Sequence, residues 1–116
     1  MANHSATLDR TFHALSDPTR RQVIDTLTVR RVASVSELAE PFPIGLPTFL
    51  KHVRVLEDCG LVSSEKVGRT RRCRLHTEAL DVAQSWLAQR QQAVEHQLDD
   101  FADYVESIAR DEEAGR

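Results

Sequence analysis

Thr48, Lys51 and Arg54 recur at intervals of three, which on a helix sets a hydroxyl, an ammonium and a guanidinium along one side. Such a row suits a polyanion. Lysine and arginine pair with phosphate, arginine donates two parallel hydrogen bonds to the O6 and N7 edge of guanine, and threonine bonds a phosphate or a base edge. Pro47 and Leu50 share the outward side. His52 lies at its margin, where it either orients or touches a phosphate or is a packing histidine with its bonds satisfied. A second basic group, Lys66, Arg69, Arg71 and Arg72, follows after a short gap with Arg74 close behind, and those four residues would grip the backbone or enter a minor groove. Contacts of that kind position a protein without selecting sequence.

Other chemistry has less to stand on. Cys59 and Cys73 match no metal spacing and are too few for a disulfide framework, so they are expected as reduced thiols. Oxidation of either would still disturb the elements that carry the basic residues. His96, Asp99, Asp100 and Asp103 share a helix face, which is expected to be an acidic solvated surface and not a metal site. No local nucleophile-and-base motif and no glycine-rich phosphate loop occurs, so neither enzyme activity nor a cofactor is expected.

The net charge of −3 hides an uneven distribution. Pro18 to His76 holds 11 Lys and Arg against 6 Asp and Glu, a balance of +5, whereas Thr77 to Arg116 holds 3 against 10, a balance of −7. The basic half is the one to meet phosphate. At 116 residues, with 41% hydrophobic and 28% charged, the chain is sized as a single domain over 1–116. Met1 to Arg10 has no apolar run for a signal sequence and nothing approaches a membrane span, so a cytoplasmic location and no membrane partner are expected.

The elements that must position these residues follow from periodicity. Leu8, Phe12 and Leu15 form the stripe of a short amphipathic helix. Asp17-Pro18 caps and opens a second, with Val23, Ile24 and Leu27 inward and Arg30 and Arg31 in the loop beyond. Ser36 is positioned to cap a very short third helix with Leu38 and Ala39, which Pro41 interrupts. A fourth begins near Pro47 and buries Leu46, Phe49, Val53 and Leu56 until Gly60 ends it. Leu50, one residue beyond Phe49, either skirts that core or points outward, where it would pack on a thymine methyl. Leu61 to Val67 and Thr70 to Leu75 read as a hairpin around Gly68-Arg69, with Val62, Cys73 and Leu75 inward. Leu80, Ala83, Leu87, Val94, Leu98, Phe101, Val105 and Ile108 then make one apolar seam on a long helix, more than so small a domain can cover alone. The fold class expected is mostly α with a small β-hairpin, in the order α-α-α-α-β-β-α.

Four segments carry a resemblance: Phe12 to Arg21 (FHALSDPTRR), Ser36-Glu37-Leu38-Ala39, Lys51 to Glu57 (KHVRVLE) and Gly60-Leu61-Val62. In this order and spacing the chain resembles the ArsR/SmtB family of bacterial regulators over roughly Leu8 to Leu87. Within it the chain is most similar to the branch with Leu38-Ala39-Glu40-Pro41-Phe42 before the recognition helix, many of whose members lack the known metal motifs. The paired cysteines of the thiolate sensors and the Asp/His pattern of the zinc and nickel sensors are missing here.

The resemblance implies a winged helix-turn-helix homodimer that binds duplex DNA, represses transcription and releases DNA on binding an effector of unknown identity. It implies DNA contact through Pro47, Thr48, Leu50, Lys51, His52 and Arg54 and through wing residues Lys66, Arg69, Arg71 and Arg72. The first and last helices would form the dimer, through Leu8, Phe12, Leu87, Val94, Leu98, Phe101 and Val105 with the helix at about 77–110. Leu50 departs from the family, which commonly has a small hydroxyl residue before the Lys-His pair. A winged helix that binds proteins is the competing expectation, although such a module has no need of the arginine-rich wing.

Overall fold

The computed structural model describes residues 4–115. Five helices and three strands run in the order α1 (His4–Leu15), α2 (Pro18–Arg30), β1 (Val32–Ser34), α3 (Val35–Ala39), α4 (Leu46–Asp58), β2 (Val62–Val67), β3 (Thr70–Leu75) and α5 (Glu78–Ala114). They fall into two compact units that divide after Ala83.

The first unit is the winged helix. Asp17 caps α2 by accepting from the Arg20 amide at 3.1 Å, and Pro18 occupies the first turn, where its missing N–H costs nothing. Val23, Ile24 and Leu27 face inward as their spacing predicts. Phe49, Val53 and Leu56 of α4 meet them, together with Val35 and Leu38 of α3, Ala33, Leu61, Val62 and Cys73. Removing one large side chain of this set from water stabilises the fold by roughly 1.5–3 kcal/mol. Phe42 stacks on Phe49 with ring centroids 5.6 Å apart and planes inclined by 28°, which fixes the turn between α3 and α4.

Two terminal devices set where α4 and the wing point. At the end of α4 the Leu61 amide donates to the Leu56 carbonyl and the Gly60 amide to that of Glu57, both at 3.0 Å, with Gly60 at φ +83°. This pair of bonds reverses the chain, and only glycine takes that φ without strain. Leu56 and Leu61, which flank the reversal, are both fully buried. In the hairpin, Gly68 (φ +65°) followed by Arg69 at negative φ gives the sign pattern of a II′ turn and brings Val67 opposite Thr70.

The structure corrects the sequence reading in five places. A third strand, β1, enters the sheet, whose order is β1-β3-β2, all antiparallel. Three residues are too few to show an alternating pattern. The cap of α3 is Ser34, not Ser36: Ser34 Oγ accepts from the Glu37 amide at 3.1 Å, and Glu37 Oε1 accepts from the Ser34 amide at 2.9 Å. Leu46 is half exposed and not part of the core face, because it lies in the first turn before α4 reaches its neighbours. On α1 the fully buried residues are Thr11 and Ala14, while Leu8 and Leu15 are partly buried and Phe12 is 36% exposed. Thr11 is tolerated there because its hydroxyl donates to the Thr7 carbonyl at 2.8 Å. Finally, Ala79 and Ala83 of α5 are buried and Leu80 packs on the same core, so the start of the apolar seam is consumed within the chain.

In the second unit, residues 84–114 of α5 carry Leu87, Val94, Leu98, Phe101, Tyr104, Val105 and Ile108, each 41–66% exposed. Arg90 lies over the Trp86 ring at 4.6 Å.

The capping box gives a pH-dependent prediction. The Ser34 amide, then the Arg30 guanidinium and the Ser34 hydroxyl, lower the Glu37 carboxyl from 4.5 to about 2. Because the folded value is the depressed one, this stabilisation is present above pH 4.5 and is lost as pH falls towards 2. Ser34→Ala should cost about 1 kcal/mol in urea unfolding at neutral pH. Glu37→Gln keeps the box but not the charge, so its stability should fall less steeply with acid than the parent's. Equal acid slopes would show that Glu37 is not the titrating group.

Candidate nucleic-acid interface

Helix α4 buries Phe49, Val53 and Leu56 and turns Pro47, Thr48, Lys51 and Arg54 to solvent. The row proposed from spacing is therefore accessible as a unit. Its two flanks are held differently. On one, Glu57 Oε2 accepts from Ser64 Oγ at 2.7 Å, and Ser64 Oγ in turn accepts from Arg71 Nη1 at 2.8 Å, so the end of α4 is linked to both strands of the wing. Leu50, 41% exposed, lines the cleft above this chain with Val53, Arg54, Glu57 and Arg71. Of the two readings for Leu50, the outward one matches its exposure.

The other flank is held by His52. Its Nδ1 lies 3.0 Å from Arg20 Nη1 and 3.8 Å from Asp17 Oδ2, and its side chain is 22% exposed. Sequence reasoning had no role for Arg20. Arg20 is 7% exposed, and its guanidinium also donates through Nε to the Ala14 carbonyl at 2.8 Å and through Nη2 to that of His13 at 3.0 Å. A signal was available, since Arg20 extends the inward stripe of Val23, Ile24 and Leu27 back by one turn. Arginine on an apolar stripe is set aside only because it is so seldom buried.

The wing residues do not form one clamp. Side chains alternate across a strand and cross-strand partners share a face. The register Lys66↔Arg71, Ser64↔Cys73 and Val62↔Leu75 therefore puts Lys66 and Arg71 on the face of buried Cys73, towards α4. Arg72 pairs with Glu65 and Arg74 with Ser63, on the opposite face. Arg71 and Arg72, both expected to grip the DNA backbone, thus stand on opposite faces of the sheet. Arg69 sits in the turn at the tip.

Among the described residues, no group of three His, Cys, Asp or Glu side chains stands close enough to hold a metal ion. His96 Nε2 lies 3.5 Å from Asp100 Oδ2 at an exposed position one helical turn away. Both cysteines are free and buried. Burial raises the Cys73 thiol to about 11, reinforced by the charge of Glu57, and burial also raises that of Cys59.

The geometry is that of a helix presented for recognition beside a basic wing, and comparison with known proteins agrees. A helix-turn-helix domain family matches residues 15–65. The crystal structure of an ArsR family transcriptional regulator superposes with a TM-score of 0.76 at 44% identity, covering 82% of this chain and 97% of that one. The chain belongs to the ArsR family. It is 34% identical over 86 residues to the uncharacterized HTH-type transcriptional regulator YuzN of Bacillus subtilis, covering 68% of this chain and 94% of the relative. It is 29% identical over 80 residues to the transcriptional repressor SdpR of the same organism, covering 69% and 88%. This ArsR family member is a DNA-binding transcriptional regulator of winged helix-turn-helix fold, in a family of regulators and not of enzymes. Among the described residues no helix is long and apolar enough to cross a membrane.

Buried thiols with raised pKa values hold little thiolate at neutral pH, and the thiolate is the reactive form. Cys59 and Cys73 should therefore react slowly with an aromatic disulfide reagent in the folded protein and at once in denaturant. Rapid labelling of the folded protein would reopen the thiol-switch reading.

Proposed function

We propose that this regulator is a cytoplasmic homodimeric repressor that binds a two-fold symmetric operator and releases it on binding an effector. Residues 1–116 serve as one DNA-binding domain, with the helix at about 77–110 as its dimerisation element. The observation that carries the reading is the solvent-facing row Thr48, Lys51 and Arg54, with Lys66 and Arg71 on the wing face nearest to it. With α4 in the major groove, Lys51 and Arg54 meet phosphate or guanine, Thr48 bonds a phosphate or base edge, and Pro47 and Leu50 offer apolar contact. Lys66, Arg69 and Arg71 hold the flanking backbone, and Arg72, on the far side of the sheet, contributes charge more than contact. Repression is the direction favoured by similarity to a protein named as a repressor.

Dimerisation is supported by the exposed seam Leu87, Val94, Leu98, Phe101 and Val105, with Leu8 and Phe12 of α1. Apolar side chains repeated along a helix at this exposure call for a covering partner, and a second copy offers the same seam. The symmetry of the operator would then mirror that of the protein.

A duplex selected from random sequence by the protein should be a pseudo-palindrome with half-sites roughly one helical turn apart. Its affinity should fall steeply with salt, and Lys51→Ala should reduce the slope of log affinity against log salt by about 1. Affinity insensitive to salt, or no selected duplex, would refute the reading. Polar substitution of Leu98 and Phe101 together should give a monomer in sedimentation, or an unfolded chain, and an unchanged dimer would remove α5 as the interface.

A further inference from the structure

Arg20 and His52 are joined across 32 positions of sequence, and the chemistry of the join is one-sided. A guanidinium has five N–H donors and no acceptor, so an imidazole nitrogen at 3.0 Å from Nη1 must be the acceptor. An accepting ring nitrogen carries no proton. His52 is thus neutral, with its one N–H at Nε2. Asp17 is the group that would favour a charged ring, but its Oδ2 is 3.8 Å from Nδ1, too far for a hydrogen bond. Protonating Nδ1 would turn the 3.0 Å contact into two donors facing each other, so the nearer group decides. Arg20 cannot swing away to avoid it, because Nε and Nη2 are committed to the carbonyls of Ala14 and His13.

The other ring nitrogen is placed differently. Among the described residues His52 Nε2 has no hydrogen-bond partner and no polar side-chain atom is buried without one, so Nε2 reaches solvent. It does so from α4, one residue beyond Lys51 and on the side of Thr48 one turn earlier.

We propose that Arg20 is a positioning residue for DNA binding: by donating to Nδ1 of His52 it fixes the tautomer that presents Nε2–H, an uncharged donor, to a backbone phosphate beside α4. The contact with phosphate rests on the DNA-binding mode set out above, and the tautomer does not. The contact differs in kind from those of Lys51 and Arg54. A neutral donor adds direction and strength without displacing a counterion, so it raises affinity and leaves the salt dependence alone.

Nitrogen-15 NMR of the imidazoles in the free protein tests the first half. At neutral pH, His52 should show an unprotonated Nδ1 and a protonated Nε2, and Arg20→Lys should lose that pattern, since lysine cannot reproduce three bonds from a rigid fork. A protonated Nδ1 in the parent, or the same tautomer in a folded Arg20→Lys variant, would overturn the role of Arg20. His52→Leu and His52→Gln, each first shown to be folded and read against a duplex selected by the parent, test the second half while leaving the bonds of Arg20 to the Ala14 and His13 carbonyls in place. His52→Leu should weaken binding about two- to tenfold with an unchanged salt slope, and His52→Gln, which retains an acceptor and an N–H donor, should recover most of the loss. A lowered salt slope in His52→Leu, or no rescue by glutamine, would overturn the phosphate contact. Absence of any duplex bound by the parent would refute the DNA-binding mode and the phosphate contact with it, while leaving the tautomer measurement to decide on Arg20.

Discussion

A single buried guanidinium sets the frame on which the recognition surface is built. Arg20 enters the interior from α2, where burial of an unpaired cation would be prohibitive, and is tolerated because each of its nitrogens has an acceptor. Two of these are the carbonyls of His13 and Ala14, at the end of α1 where the unsatisfied oxygens of a helix carry partial negative charge. The third belongs to α4. Asp17 adds a carboxylate close by while capping α2 through the amide of the same arginine. One side chain therefore ties the end of α1, the start of α2 and the middle of α4 at once.

The consequence is a recognition helix restrained on both flanks. Apolar contact through Phe49, Val53 and Leu56 supplies most of the energy, but it is non-directional and leaves rotation about the helix axis weakly defined. Hydrogen bonds define it. His52 fixes one flank to Arg20, and Glu57 fixes the other through Ser64 to Arg71. Exposed bonds of the second kind each contribute only about 1 kcal/mol to stability. Their effect is directional: Thr48, Lys51 and Arg54 leave the surface in a set orientation, which lowers the ordering cost of binding. Arg71, placed from sequence as a phosphate ligand, thus also acts within the protein.

Much of this was legible because helical periodicity and turn chemistry are local. Pro18 and Pro47, Gly60, Gly68 and the stripe of α2 each act within a few residues, and the fold follows them closely. The failures have physical reasons. Leu46 fits the spacing of α4 but precedes the packed turn, and Ser36 lost to Ser34 because only Ser34 has a glutamate three residues on. β1 owes its conformation to β3, a partner some forty residues away, and periodicity cannot report such a pairing. The division of the wing cations between two faces required the register, which composition does not contain. Arg20 was hidden by the assumption that charge means surface, although it stands on the inward stripe.

The central claim is that Arg20 and His52 stabilise each other as a pair, and a double-mutant cycle measures this directly. Urea unfolding of the parent, Arg20→Met, His52→Leu and the double variant should give a coupling of about 1–2 kcal/mol, with the double variant less destabilised than the sum of the singles. A coupling of zero, with the two losses simply adding, would contradict the account.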